Sequence, residues 1–325
     1  MSVKVFREFD RQTNSQVNRL VLEIPAGRCG WYASPGGGCT MCGFNGPQSA
    51  KTRFTIGGKP WPHRLSRFYV SRLMANIPDG PAVMAVLHGG SFFNPIEVPP
   101  KLQEHIAGLA AGSEQVVRLF VESRCEHVRD ESVARLRDLL CGKQLEIGVG
   151  LECVSDHLRN GVLNKGLTLS EFERAIRVMH NQGALAFTYV FLKPQGVTEA
   201  EAIWECVDTV RHAFEAGSDV VSISCGTVQG GTPLYDLWRK GKYRPPWLWS
   251  IVDVVEQCHE IGPVRVNTFD DDPMPVDYPR NCGQCDAAVN SLLNDYRRTM
   301  NAAFLATAAM PACACKTQRR DLNDD

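Results

Sequence analysis

Alternating strand-like and helix-like segments predict an α/β fold: an open, partial (β/α)6 barrel with a small cysteine-containing C-terminal extension. Three observations carry this expectation. Six apolar runs, at 19–26, 82–88, 115–122, 144–152, 184–192 and 219–225, are rich in aliphatic and β-branched residues, as strands buried on both faces are. Most intervals between them hold apolar residues at helical spacing. Regular strand–helix–strand alternation calls for right-handed crossovers and therefore a parallel sheet. The barrel is expected over 1–269 and the helical extension, with its paired cysteines, over 270–325.

The first run, in "NRLVLEIPAG", places Leu20, Val21, Leu22 and Ile24 in a buried strand. "RCGWYASPGGGCTMCGF" follows, with nine residues between Cys29 and Cys39 and two between Cys39 and Cys42. Gly36, Gly37 and Gly38 let this loop turn tightly. Three thiolates on such a loop can hold three irons of a four-iron, four-sulfur cluster and leave the fourth open to a small molecule. A zinc site is the plainer alternative, but structural zinc wants four ligands at tighter spacing.

The second run leads into "HGGSFFNP", the third into "ESR", and the fourth into "GLE" and then "LNKG". Thr168 to Glu171 forms a capping-box pattern ahead of Phe172, Ile176 and Met179, and Gly183 stands where that helix should stop. The fifth run leads into "LKPQGVTEAEA", where Thr198 and Glu201 repeat the pattern ahead of Ile203, Val207 and Val210. The sixth ends at Cys225 in "SCGTVQGG". Ligands in parallel sheets gather at the carboxyl ends of strands. Gly89, Gly90, Ser91, Glu122, Arg124, Glu152 and Lys165 are therefore candidate binding residues. Cys225 is a catalytic candidate that contacts substrate or donates a hydrogen atom at the barrel mouth, the alternative being a small buried side chain that fills the core.

Composition narrows the function classes. The 325 residues are 44% hydrophobic with net charge −1, so no global basic field attracts nucleic acid, although local patches can. No run reaches the roughly 18 apolar residues of a membrane helix. "MSVKVFREFDRQ" lacks an apolar secretory core. A cytoplasmic location is expected, where most of the 13 cysteines bind metal or sit buried rather than form disulfides.

A three-cysteine loop directly after a first strand resembles the radical SAM superfamily. The resemblance implies that Cys29, Cys39 and Cys42 hold the cluster. The open iron binds S-adenosylmethionine (SAM), and an electron from a reductant such as flavodoxin or ferredoxin cleaves it to a 5′-deoxyadenosyl radical. It also implies that Gly89 and Gly90 present backbone to the methionyl ammonium, with Ser91 where an acidic residue is common. Glu122 and Glu152 would accept hydrogen bonds from ribose or ammonium, and Arg124 or Lys165 would pair with the carboxylate. Salt bridges at the rim are the alternative for these four residues. The nine-residue gap exceeds the usual three, as in the branch holding the Elongator catalytic subunit and archaeosine enzymes. "GGCTMCGF", "VESR", "VGLE", "LNKG", "LWRKGKYRPPWLWS" and "RNCGQCD" resemble the archaeosine-synthase radical SAM subunit, which implies modification of a tRNA base. "SISCGTVQ" departs from that family's Asn-Pro pair.

Cys282 and Cys285 form a Cys-x-x-Cys knuckle, and Cys313 and Cys315 a Cys-x-Cys pair. Together they resemble the ligands of zinc or an auxiliary cluster. The 27 intervening residues read as helix, and a straight helix of that length spans roughly 40 Å. Either the helix breaks, or Cys258 and His259 complete the knuckle while Cys313 and Cys315 reach the active site as catalytic or substrate-binding residues on a tail. Two enzymatic readings stand: modification of tRNA, and a stand-alone radical SAM enzyme acting on a small molecule, with carbon–heteroatom bond formation through a SAM fragment. A non-catalytic metal-binding scaffold is the third.

Overall fold

The computed structural model describes residues 3–46, 54–56, 59–75, 77–271, 273–306 and 310–318. The chain opens with β1 (Lys4–Asp10), which pairs antiparallel with β2 (Ser15–Glu23) from Lys4↔Val21 to Asp10↔Ser15. After β2 come α1 (Gly30–Ala33), the short antiparallel pair β3 (Thr55–Ile56) and β4 (Lys59–Pro60), and α2 (His63–Met74). The alternation then runs β5 (Ala82–Leu87), α3 (Pro100–Gly112), β6 (Val116–Glu122), α4 (Asp130–Leu139), β7 (Gln144–Glu152), α5 (Leu169–Asn181), β8 (Leu185–Leu192), α6 (Glu199–Glu215) and β9 (Val220–Cys225). It closes with α7 (Pro233–Arg239), α8 (Leu248–Cys258), β10 (Val264–Val266), α9 (Asp286–Thr299) and α10 (Cys315–Gln318).

Eight strands form one sheet in the order β1-β2-β5-β6-β7-β8-β9-β10. β2, β5, β6 and β7 pair in parallel, as do β9 and β10. The six apolar runs are β2 and β5 to β9, and their burial explains their composition. Ala82 through Val86 have no exposed surface, so Val83, Met84 and Val86 each contribute about 1.5–3 kcal/mol of burial. The helix start at Thr198 is as expected: its hydroxyl accepts from Glu201 N–H while Glu201 Oε2 accepts from Thr198 N–H at 2.8 Å.

The contacts divide the chain into two units. The first comprises Met1–Gly36, Ala50–Gly150 and Leu169–Phe187; the second comprises Gly37–Ser49, Leu151–Thr168 and Thr188–Asp325. In the first, α2 packs on α3, α3 on α4, and α4 on α5. A buried ion pair there ties β1 to β6: Arg118 donates to both carboxylate oxygens of Asp10, at 3.0 and 3.1 Å. In the second unit, α6 packs on α8 and α8 on α9.

The straight helix expected between Cys285 and Cys313 is not formed. α9 stops at Thr299 because Met300 adopts a left-handed conformation (φ +53°), with its N–H donating to Tyr296 O. A 3-10 turn at Ala302–Leu305 follows, its Asn301 cap accepting from Ala303 N–H. A break of this kind returns the chain instead of extending it.

Candidate active site and metal centre

In the first unit, the chain leaves β2 and reaches Cys29 at the head of α1, where Cys29 O accepts from Ala33 N–H at 3.1 Å. Cys29 is half-buried. Both flanks of this cysteine touch one residue. Gly27 N–H donates to the backbone carbonyl of Glu97 at 2.7 Å, and Gly30 N–H donates to Glu97 Oε1 at 2.9 Å. The carboxylate also accepts from Asn94 Nδ2 at 2.8 Å and from Ser91 N–H at 2.6 Å, and Oε2 lies 3.4 Å from His88 Nε2. Burial opposes ionisation of Glu97, but His88 and the Ser91 and Gly30 N–H groups outweigh it and hold the carboxyl below the usual carboxylate range.

Gly89 (φ +62°) and Gly90 make the turn after β5. A Cβ on Gly90 would press on Glu97 Oε2, so a larger residue there would have to displace the carboxylate. Ser91 is fully buried, and its hydroxyl accepts from Arg124 N–H at 3.2 Å. The Arg124 side chain pairs with Glu126 at 2.5 Å and lies over the Trp31 ring at 5.1 Å. Glu122, half-buried at the end of β6, accepts from Phe92 N–H through its carbonyl.

In the second unit, Cys39 and Cys42 are half-buried and closed into one turn by Cys42 N–H donating to Cys39 O at 3.1 Å. Three segments hold this turn. A π-helical turn at His157–Val162 leaves carbonyls off the ordinary helical ladder. Val162 O accepts from Thr40 Oγ1, and Leu163 O accepts from Thr40 N–H. Gln195, in the turn after β8, donates to Thr40 Oγ1 at 3.0 Å, and Gln229 Oε1, after β9, accepts from Gly43 N–H at 2.6 Å. Asn164 of "LNKG" donates to Gly38 O at 2.9 Å.

Glu152, the last residue of β7, takes φ +68° and pairs with Lys165 at 2.6 Å. These two candidates thus meet each other. Lys193, just after β8, takes φ +69° and is buried. Its Nζ donates to Glu199 Oε1 at 2.6 Å, and Ser250 Oγ donates to Glu199 Oε2 at 2.5 Å. Left-handed backbone at non-glycine residues marks constrained positions, which concentrate at functional sites. Cys225 is buried, with Sγ 3.9 Å from Ile223 O, and burial pushes its thiol up to about 12.

Glu97, His88, Lys193, Glu199, Gln195 and Gln229 are absent from the sequence-derived candidates. Position just beyond a strand end would have flagged His88, Lys193, Gln195 and Gln229. No sequence signal marks Glu97.

The four C-terminal cysteines come together. The Sγ atoms of Cys282, Cys285, Cys313 and Cys315 all lie within 4.8 Å of one another, with Cys282–Cys313 at 3.6 Å and Cys285–Cys315 at 3.5 Å. This set can hold a metal ion, and Cys313 and Cys315 complete it in place of Cys258 and His259. The separate tail role for Cys313 and Cys315 rested on a straight helix and loses that support. Asn281 Nδ2 donates to Cys285 Sγ and Trp249 Nε1 to Cys315 Sγ, each at 3.2 Å. N–H donors aimed at sulfur orient and stabilise thiolate ligands. The Gln284 backbone N–H holds Cys282 down to about 7, while burial pushes Cys315 up to about 12.

Among the described residues, no helix is long and apolar enough to cross a membrane. No family model matches the chain. The curated archaeosine synthase subunit beta of Methanosarcina acetivorans is 30% identical over 305 residues, 93% of this chain and 84% of that protein. The solved Methanocaldococcus infernus Elp3 superposes with TM-score 0.53 at 15% identity, over 72% of this chain and 58% of its own. A radical SAM methyltransferase from Sphaerobacter thermophilus matches with TM-score 0.50 at 13% identity, over 90% of this chain and 72% of its own. These structural likenesses give the fold, the partial (β/α) barrel expected from the alternation. The chain belongs to the archaeosine synthase subunit beta family.

Proposed function

We propose that this chain binds a four-iron, four-sulfur cluster through Cys29, Cys39 and Cys42, binds SAM, and modifies a base in tRNA by radical chemistry. The observation that carries the reading is the donor set: three half-buried thiols, none in a disulfide, on a glycine-rich loop that follows β2. Thiolates are the usual ligands of such clusters, and three of them leave one iron for SAM. When bound, the cluster and SAM supply reductive cleavage of a carbon–sulfur bond.

The protein's own contribution is orientation. Gly89 and Gly90 would present backbone to the methionyl group, and Arg124, which lies over Trp31, would pair with its carboxylate. The Thr40 contacts with Val162, Leu163 and Gln195 keep Cys39 and Cys42 in one turn. The tRNA assignment comes from family membership, since the relative's name is archaeosine synthase subunit beta. A reductant of the flavodoxin or ferredoxin type supplies the electron.

The four C-terminal thiols suit one zinc ion. A tetrahedral zinc with bonds of about 2.3 Å places its sulfurs about 3.8 Å apart, close to the 3.5 and 3.6 Å pairs. A four-iron cluster attaches each thiolate to a different iron and holds the sulfurs farther apart.

Anaerobic reconstitution tests the central assignment. Wild-type protein should bind iron and, once reduced, give an electron-spin signal that SAM alters. Replacing Cys29, Cys39 and Cys42 together by Ala should remove both, and a SAM-responsive cluster in that variant would falsify the assignment.

A further inference from the structure

Glu97 touches both sides of one proposed cluster ligand. Its carbonyl takes the N–H two residues before Cys29, and its carboxylate takes the N–H one residue after it, at 2.7 and 2.9 Å. The same carboxylate takes Ser91 N–H at 2.6 Å and lies 3.4 Å from His88 Nε2. It is therefore tied to the glycine turn after β5 as firmly as to the cysteine. The packing is close: a Cβ on Gly27 would come within 2.9 Å of Glu97 Cα, and one on Gly90 would press on Glu97 Oε2. Glu97 is 2% exposed, so solvent neither competes for these bonds nor replaces them when they are lost.

We infer that Glu97 is the positioning residue that fixes Cys29 for cluster binding and locks it in register with the Gly89–Ser91 turn. The inference rests on the reading of Cys29 as a cluster ligand. The chemistry requires a carboxylate. Oε1 accepts from Gly30 N–H and Asn94 Nδ2, and Oε2 accepts from Ser91 N–H. A glutamine has the same shape, but either orientation of its amide sets an NH2 donor against one of these donors. Aspartate keeps the charge but is one methylene short, so it cannot hold both the cysteine flank and the turn.

Wild type, Glu97→Gln, Glu97→Asp and Cys29→Ala are to be reconstituted anaerobically. Three quantities are read: iron release to a ferrous chelator, the SAM-induced change in the electron-spin signal of the reduced protein, and far-ultraviolet circular dichroism. Removing a residue that orients a metal ligand costs about 10–100-fold in metal affinity. Glu97→Gln should therefore release iron at least about tenfold faster and lose most of the SAM response with its dichroism unchanged. Glu97→Asp should fall between it and wild type. Wild-type iron retention and SAM response in folded Glu97→Gln overturn the inference; if that variant does not fold, the same result in Glu97→Asp does so. Loss of the cluster in Cys29→Ala beside a wild-type Glu97→Gln confines the failure to Glu97. A SAM-responsive cluster in Cys29→Ala defeats the ligand assignment, and the role of Glu97 falls with it.

Discussion

Arg118 and Asp10 are both nearly inaccessible, and such a pair is costly to break from one side. Burial opposes the charge on Asp10, but the Arg118 guanidinium and Thr13 outweigh it and lower its carboxyl below the usual carboxylate range. The stabilisation is fully present above the ordinary carboxylate value and fades as pH falls through the lowered folded value. Asp10→Asn takes one of two carboxylates from the buried guanidinium, with Glu146 Oε2 remaining at 3.7 Å, and should cost up to about 3–5 kcal/mol at neutral pH. Denaturant unfolding checks this, and the gap between variant and wild type should narrow in acid. Residues of this kind explain what the sequence conceals. Asp10 looks like a surface charge in "KVFREFD", and Glu97 stands three residues beyond a turn with no motif around it. Their roles come from distant partners, which spacing along the chain does not encode.

The strands that composition revealed are those buried on both faces, where aliphatic runs are required. β1 escaped because it is an edge strand with mostly exposed residues, and β10 because it has three residues. The end of α9 was hidden for a different reason. Glycine is the usual signal for a left-handed helix end, and here Met300 takes that conformation. With the helix broken, the knuckle at the start of α9 and the pair at the start of α10 meet. All four thiols then fall in one cluster. Cys282→Ala, Cys285→Ala, Cys313→Ala and Cys315→Ala should each remove zinc and lower stability by more than about 3 kcal/mol, because structural zinc contributes on the order of 10 kcal/mol to folding. Elemental analysis with thermal unfolding is the check; loss confined to the Cys282 and Cys285 variants would contradict a four-thiolate site.

The chain as a whole carries a net charge of −1, so the proposed tRNA binding would have to draw on local basic surface rather than a global field. Binding should weaken steeply between low and physiological salt, with the slope reporting the number of phosphates contacted. A mobility-shift titration across salt concentrations measures it. No shift at low salt, with a companion subunit present, would direct attention to small-molecule substrates. The alternation, the cysteine loop and the strand-end residues were legible because each repeats a local rule; the network around Glu97 and the path to Cys313 were not, because they depend on how the backbone turns. Two of the four clustered C-terminal thiols precede α9 and two follow Met300, so a bound ion would close residues 282–315 into a ring. A single protease cut at 301–312 would then leave the last segment attached through metal–sulfur bonds, and only a chelator would release it.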